Sequence, residues 1–150
     1  MKILHLAALL IALPLAACAQ DRSCLAGRTE VLLRPAPEAS PLRVRVEIAK
    51  TDEQRQKGLM FRRQMDENFG MLFTWPVSGD YKMWMKNTYI PLDMIYAQRG
   101  VVVGVVENAQ PLSEQTLGVD KPADTVLEVN AGFAKRHGIG AGWQLRVCDE

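Results

Sequence analysis

Residues 92–106 read LDMIYAQRGVVVGVV, two apolar runs separated by Gln98-Arg99-Gly100. Valine, isoleucine and tyrosine, which fit a pleated and half-buried surface, occur in these runs. Gly100 supplies the residue that a tight turn needs where φ is positive. Two such runs joined by so short a turn predict an antiparallel hairpin, with strands at residues 92–97 and 101–106.

Further strands are predicted on both sides of this hairpin. Residues 42–48 alternate apolar and polar side chains, which is typical of a half-buried strand. The strands show no βαβ rhythm, so they predict an α+β fold whose mainly antiparallel sheet forms a partly closed barrel. The other predicted strands are residues 29–33, 69–75, 81–86, 125–129 and 143–148.

One or two short helices accompany the predicted sheet. Thr51 is followed three residues later by Gln54, a capping-box pattern that predicts a helix running to about Gly58. Its residues are almost all polar, so we expect it on the surface. Residues 131–137 are long enough for one or two further helical turns, and Gly138 ends them.

The N-terminus has the pattern of an export signal. Lys2 is followed by an apolar run, residues 3–15, that is too short to span a hydrocarbon core of about 30 Å as a helix. The sequence Leu15-Ala16-Ala17-Cys18 resembles a bacterial lipobox, which predicts lipidation of Cys18. Ala17-Cys18-Ala19 also fits ordinary secretory cleavage after Ala19, and this alternative stays open. In lipoproteins of this type an aspartate after the cysteine often signals inner-membrane retention, so alanine at that place favours the outer membrane.

These signals divide the chain into three segments. Residues 1–18 are the signal peptide with its lipobox, residues 19–41 a tether rich in Pro, Ala and small polar residues, and residues 42–150 a single globular domain. We expect the protein to be exported to the periplasmic face as an outer-membrane lipoprotein and to be a monomer. Its lipid anchor makes the membrane its first predicted partner.

Two cysteines remain once Cys18 is modified or removed. Cys24 and Cys148 lie near the two ends of the mature chain, and an even pair in an oxidising compartment predicts a disulfide. A catalytic or metal-binding thiol pair is the alternative, but nothing beside either cysteine supports it.

Charge and composition argue against several functions. Removal of residues 1–18 takes away Lys2 alone, which leaves 17 basic and 17 acidic side chains and predicts no nucleic-acid partner. His137 is then the one histidine, so a histidine zinc site or a Ser-His-Asp set is hard to build. The sequence has no glycine-rich phosphate loop and no dinucleotide motif, so we expect no cofactor.

Polar residues between two apolar strands mark the candidate site. Lys86-Asn87-Thr88 precede Pro91, which holds residue 90 extended and makes this segment a fixed corner. Polar groups packed between apolar strands need hydrogen-bond partners within the fold or in a ligand. The segment has two interpretations. It is either a structural corner whose polar groups hydrogen-bond within the fold, or the rim of a ligand pocket with Trp84 and Met85 as its floor. The candidate ligand-binding residues are Trp84, Met85, Lys86, Asn87, Thr88, Asp93 and Arg62.

The first functional hypothesis is an envelope domain that binds a small molecule or an envelope component through this corner. Glu128 lies between Leu127 and Val129, where alternation along a strand places it towards solvent by default. If Glu128 and Asp93 instead converge, they form a carboxylate pair for acid/base catalysis, with Lys86 beside them. The second hypothesis is therefore a hydrolase or transferase that acts on an envelope carbohydrate or lipid. The sequence leaves open whether the protein is an enzyme.

Six of the seven methionines fall within residues 58–94. Thioether clusters suit Cu(I) in a periplasmic protein, and Met83 and Met85 alternate onto one face of a predicted strand. Methionine also fills irregular gaps in cores, and no histidine accompanies these residues. We therefore expect no metal site and keep Cu(I) binding through Met83 and Met85 as a third hypothesis.

Several short motifs occur along residues 42–148: GLMFR at 58–62, GMLF at 70–73, WMKNT at 84–88, IPLDM at 90–94 and VLEV at 126–129, followed by residues 131–132 and 138–142. Together these motifs resemble the family catalogued as domain of unknown function 192. The resemblance implies a small, soluble domain of mixed α and β structure that is often exported, and it brings no established activity. Shared polar residues such as Lys86, Asn87, Thr88 and Asp93 fit a common ligand site and a common structural role equally.

Overall fold

The structure, a computed structural model, describes Cys24 and residues 27–149. The signal segment at residues 1–18 and the predicted lipidation site Cys18 lie outside the described residues. Within the described part the chain forms seven strands and two short helices. In chain order these are β1 (Glu30–Arg34), β2 (Leu42–Ala49), α1 (Asp52–Lys57), β3 (Phe69–Gly79), β4 (Leu92–Gln98), β5 (Val101–Ala109), β6 (Ala123–Asn130), α2 (Phe133–His137) and β7 (Gln144–Cys148).

The seven strands close into a barrel in the order β1-β2-β3-β6-β4-β5-β7. All strand pairs are antiparallel except β2 with β3. The mainly antiparallel sheet is therefore confirmed, and it closes where a partly closed barrel was expected. The predicted hairpin is β4 and β5, joined by Arg99 and Gly100 with φ values of 48° and 75°.

One predicted strand is absent, and another has a larger role than its segment suggested. Residues 81–86 form no strand, although Met83 makes an isolated bridge to Leu117. Their alternation has another cause: the segment covers the outside of the barrel, so Met83 and Met85 are buried while Trp84 is exposed. β1 confirms the strand predicted at residues 29–33. It lies in the segment interpreted as a tether, and it pairs with both β2 and β7 as part of the barrel.

Two apolar clusters lie on opposite faces of the sheet. The first fills the barrel with side chains such as Leu72 and Leu127, and α2 packs against it through Phe133. The second lies on the outer face of β3, β6 and β4, where Phe73 packs with Met85 and other residues of the covering segments. β6 is therefore buried on both faces, which determines the surroundings of its polar side chains.

Cys24 and Cys148 form the predicted disulfide, with Cα atoms 5.6 Å apart. The bond joins the segment before β1 to the last residue of β7, so it ties the N-terminal side of the domain to the barrel. Among the residues that the structure describes, no helix has both the length and the apolar character needed to cross a membrane.

Candidate functional site

Glu128 lies in β6, the strand between β3 and β4 in the barrel. It is paired with Met71 on β3 and Met94 on β4, which belong to the outer apolar cluster, so its side chain also points outward. Only 3% of Glu128 is exposed. The expectation that it faces solvent was wrong, because residues 55–60 and 83–88 cover this part of the outer face.

The cover over Glu128 is held in place by bonds between distant segments. α1 starts at a complete capping box between Thr51 and Gln54 and ends at Gly58, whose φ of 44° favours glycine. The N–H of Phe61 then donates to the carbonyl of Asn87 at 2.8 Å. This bond joins the turn after α1 to the corner at residues 84–88.

A small cavity lies directly over Glu128. Its volume is about 20 Å³, which is room for about one water molecule. A wider hollow of about 290 Å³ adjoins it and opens towards solvent. We call the cavity and the hollow together the two-tier site. The two spaces share the lining residues Gln56, Lys57, Met60, Trp84 and Lys86.

The Glu128 carboxyl has no hydrogen bond or ion pair with any residue that the structure describes. Burial raises its pKa to about 8, so the group is mostly protonated at neutral pH. Tyr96 lies on the same face, and its own burial, followed by the charge of Glu128, raises the pKa of its hydroxyl. A protonated carboxyl can donate one hydrogen bond, and that donor lines the cavity without a partner.

Two lysines at the rim lack a carboxylate partner among the described residues. Lys57 is exposed in the last turn of α1, and Lys86 is half-buried with its Nζ 5.2 Å from the centre of the Trp84 ring. The carboxylate at the rim belongs to Glu53. Hydrogen bonds from its own N–H and from the Thr51 hydroxyl lower the pKa of Glu53, so this carboxylate is held at the start of α1.

Asp93 lies on the opposite face of the sheet from Glu128. The register pairs Asp93 with Val129, the residue after Glu128, and successive side chains of a strand alternate between faces. The Asp93 carboxylate is fully buried and accepts hydrogen bonds from the N–H groups of Asn108 and Ala134, both at 2.9 Å. The structure therefore does not bring the two carboxyls together. Asp93 therefore fits the structural interpretation, because its carboxylate is hydrogen-bonded to backbone N–H groups.

The structure separates the residues of the expected pocket floor. Trp84 is 39% exposed and stands at the rim of the two-tier site beside Lys86. Met85 is completely buried in the outer apolar cluster and does not line the two-tier site. Met83 packs in the same cluster and borders the inner cavity. The floor of the cavity is formed by Glu128.

The remaining predicted ligand residues are also divided. Thr88 is buried and lines the cavity. Asn87 has a φ of 55°, and its side-chain nitrogen lies 3.8 Å from the sulfur of Met60, so it fixes the cover. Arg62 makes two hydrogen bonds to the Glu47 carboxylate, at 2.9 and 3.0 Å, and does not line the two-tier site.

The largest hollow, about 1060 Å³, lies between β2 and α1 and is a competing location for the site. Four of its five charged side chains pair with each other: Arg62 with Glu47 at 2.9 Å, and Lys50 with Asp149 at 2.5 Å. The fifth, Lys57, also lines the two-tier site. Size alone would favour this hollow. We place the candidate site over Glu128 instead, because a buried polar group without a hydrogen-bond partner is unfavourable and a ligand can supply that partner.

Sequence reasoning missed Gln56, Lys57 and Met60 as parts of the site. The polar composition of α1 correctly predicts an exposed helix, but it does not show that the last turn lies beside Trp84. The available signal was the family resemblance, in which residues 58–62 and 84–88 are both motifs. These two motifs meet through the bond from Phe61 to the Asn87 carbonyl.

Comparisons with known proteins identify a family and solved structures. The model of the domain of unknown function 192 family, described as "Uncharacterized ACR", matches residues 35–147. A crystal structure of a protein described as a "putative transcription regulator" from Sinorhizobium meliloti 1021 is 40% identical, with a TM-score of 0.75; the match covers 80% of this chain and 93% of that one. A protein of unknown function from Novosphingobium aromaticivorans DSM 12444 is 34% identical, with a TM-score of 0.72, over 78% and 83% of the two chains. A search of the curated proteins gave no match.

Proposed function

The chain belongs to the domain of unknown function 192 family, and from that premise we propose an exported, lipid-anchored envelope domain that binds a small ligand at the two-tier site. Its partners are the membrane, through a lipid on Cys18, and a small molecule or envelope component. The family has no described activity, so the proposal is argued from the geometry of the site.

The observation that carries the proposal is the unpaired Glu128 carboxyl. A buried polar group without a partner costs about 1–3 kcal/mol, and most such groups in folded proteins are paired. Glu128 lines a cavity with room for one water molecule or one ligand atom, next to a hollow that opens towards solvent. A ligand that places a polar atom in the cavity supplies the missing partner.

The same geometry gives less support to the other two hypotheses. A hydrolase or transferase that pairs Asp93 with Glu128 needs both carboxyls on one face, and they lie on opposite faces. Cu(I) binding through Met83 and Met85 needs accessible sulfur atoms, and both side chains are buried in an apolar cluster.

Export and anchoring are proposed from the signal at residues 1–18. The Cys24–Cys148 disulfide supports them, because disulfides form and persist in oxidising compartments. Mass spectrometry of the mature N-terminus tests the anchor. Acyl chains on Cys18 are expected, and a mature chain that begins at an unmodified Gln20 would contradict the anchor.

A thermal-shift screen of the purified mature protein against envelope sugars, lipids and metal ions tests binding. The screen compares the wild type with Trp84→Ala and with Phe61→Ala, a matched control because Phe61 is an exposed aromatic residue that lines the largest hollow. A specific ligand raises the melting temperature of the state that it binds. We expect at least one compound to stabilise the wild type and Phe61→Ala but not Trp84→Ala.

Two outcomes of this screen would contradict the proposal. If stabilisation is lost in Phe61→Ala and kept in Trp84→Ala, the ligand occupies the largest hollow. If no compound stabilises the wild type, the binding function itself is refuted for these classes of ligand.

A further inference from the structure

The charges around the two-tier site are unequally paired. Arg55 lies 2.6 Å from the carboxylate of Asp52, so its charge is neutralised locally. Lys57 and Lys86 have no carboxylate partner among the residues that the structure describes, although both line the cavity and the hollow. The rim therefore offers two ammonium groups to whatever enters.

We propose that the ligand of the two-tier site is a small organic acid of about monosaccharide size, with one carboxylate oxygen in the inner cavity against Glu128 and its negative charge between Lys57 and Lys86. This inference rests on the proposed binding function and adds the chemical class of the ligand. It is carried by the unpaired Glu128 carboxyl, the one-atom size of the cavity and the two unpaired lysines.

The inner cavity selects the group that enters it. A volume of about 20 Å³ admits a single oxygen atom but not a ring or a chain. Protonated Glu128 can donate a hydrogen bond to that oxygen, and a bond to a charged acceptor is stronger than one between neutral groups. Thr88 also lines the cavity, and its hydroxyl donates to the carbonyl of Lys86 at 3.4 Å.

The outer hollow limits the size and shape of the rest of the ligand. Its volume of about 290 Å³ is at the lower end for small-molecule sites, which suits a single ring with substituents. Trp84 provides an exposed aromatic face at the rim. The Lys86 ammonium now lies near that ring, and its flexible stem allows it to turn to a carboxylate.

Other ligand charges fit the site less well. A cationic ligand would lie next to Lys57 and Lys86 and be repelled by both. A neutral ligand would leave both ammonium groups unpaired. The Glu53 carboxylate also lines the outer hollow and stays ionised, so the lining of that hollow carries two positive charges against one negative charge.

The inference predicts a characteristic pH dependence. The charged or titratable groups around Glu128 are Arg55 and Lys57 from α1, Lys86 from the corner and Tyr96 from β4. As the pH rises through about 8, Glu128 loses its proton, and its negative charge then repels the carboxylate of the acid. The affinity for an acid is therefore expected to fall above this pH.

Isothermal titration calorimetry of the purified mature protein tests the inference with four probes. Glucuronate and benzoate are acids with different rings, glucose is neutral and glucosamine is a cation. At neutral pH we expect an acid to bind at least about tenfold more tightly than glucose or glucosamine, the effect of one charge-assisted contact. Binding of glucuronate but not benzoate identifies a sugar acid, and the reverse identifies an aromatic acid.

Variants assign the interaction to named groups. Lys57→Met and Lys86→Met are each expected to weaken acid binding about two- to fivefold, while Lys121→Met, which removes an exposed lysine outside the site, leaves it unchanged. Glu128→Gln keeps a hydrogen-bond donor, so it should bind the acid at neutral pH without the loss of affinity above pH 8.

Each contrary outcome has a defined meaning. Glucose or glucosamine binding as tightly as the acids overturns the acid class and leaves the binding function in place. Acid binding that survives both lysine substitutions also overturns it. Absence of heat with all four probes rejects the acid class, and together with an empty thermal-shift screen it rejects the binding function as well.

Discussion

Replacing Glu128 with glutamine tests whether the carboxyl at the floor of the two-tier site is neutral in the folded protein. Glutamine has nearly the same shape and cannot ionise, so Glu128→Gln keeps the packing of β6 and removes one titration. The variant therefore isolates the contribution of Glu128 to the pH dependence of the free energy of unfolding.

The size of the effect follows from the two pKa values. Burial raises the pKa of Glu128 from 4.5 to about 8. Between these values the folded protein keeps a proton that the unfolded chain releases, so the wild type becomes less stable as the pH rises. The contribution of the protonated Glu128 carboxyl to stability is complete below about pH 4.5, and it is lost progressively as the pH rises to about 8. At about 1.4 kcal/mol for each pH unit, the wild type should lose about 3 kcal/mol relative to Glu128→Gln between about pH 5.5 and 7.5.

Urea unfolding at a series of pH values measures this difference directly, with the disulfide intact in both proteins. A single domain of this size is expected to unfold in one transition, so each curve gives a free energy of unfolding. Glu107→Gln, which removes an exposed carboxylate from β5, controls for the loss of one acidic group. A difference between wild type and Glu128→Gln that stays constant from pH 5.5 to 7.5 would refute the argument that Glu128 is buried in its neutral form.

Three further predictions concern the scaffold. Asp93→Asn should lower the free energy of unfolding by about 3 kcal/mol in urea, because the amide nitrogen that replaces one carboxylate oxygen cannot accept, which leaves the buried N–H of either Asn108 or Ala134 without an acceptor. Ligand binding should not change, and lost binding would return Asp93 to the site. Replacing Cys24 and Cys148 together with serine should cost up to about 5 kcal/mol in the same assay, and an unchanged midpoint would show that the bond adds no stability. Gly70→Ala should lower the free energy of unfolding by about 1–3 kcal/mol, because the added Cβ would overlap the carbonyl oxygen of Glu128. Thermal unfolding checks this prediction, with Gly140→Ala as the control because the space around Gly140 is open.

The parts of the fold that sequence predicted well are local. The hairpin of β4 and β5 is specified by two adjacent apolar runs and by Arg99-Gly100, whose positive φ values match the turn. The capping box of α1 lies within four residues, so its pattern could be recognised directly. In both cases the residues that decide the structure are neighbours in the chain.

The surroundings of Glu128 could not be predicted in the same way. Alternation correctly places its side chain on the face opposite Leu127, but it does not show what lies against that face. The cover consists of residues about 40 to 70 positions earlier in the chain, so it depends on the complete topology. The same cover explains why residues 81–86 were wrongly predicted as a strand: their alternation reflects one buried side and one exposed side.

The most direct test of the central claim is an NMR titration with the compound that gives the largest thermal shift. If the ligand occupies the two-tier site, the indole signal of Trp84 and the amide signals of residues 56–60 and 84–88 should move together and saturate at one affinity. The amide signals of Glu47 and Lys50, which line the largest hollow, should remain in place. Saturable movement at Glu47 and Lys50 with a stationary Trp84 signal would contradict the assignment of the ligand site to Glu128 and its cover.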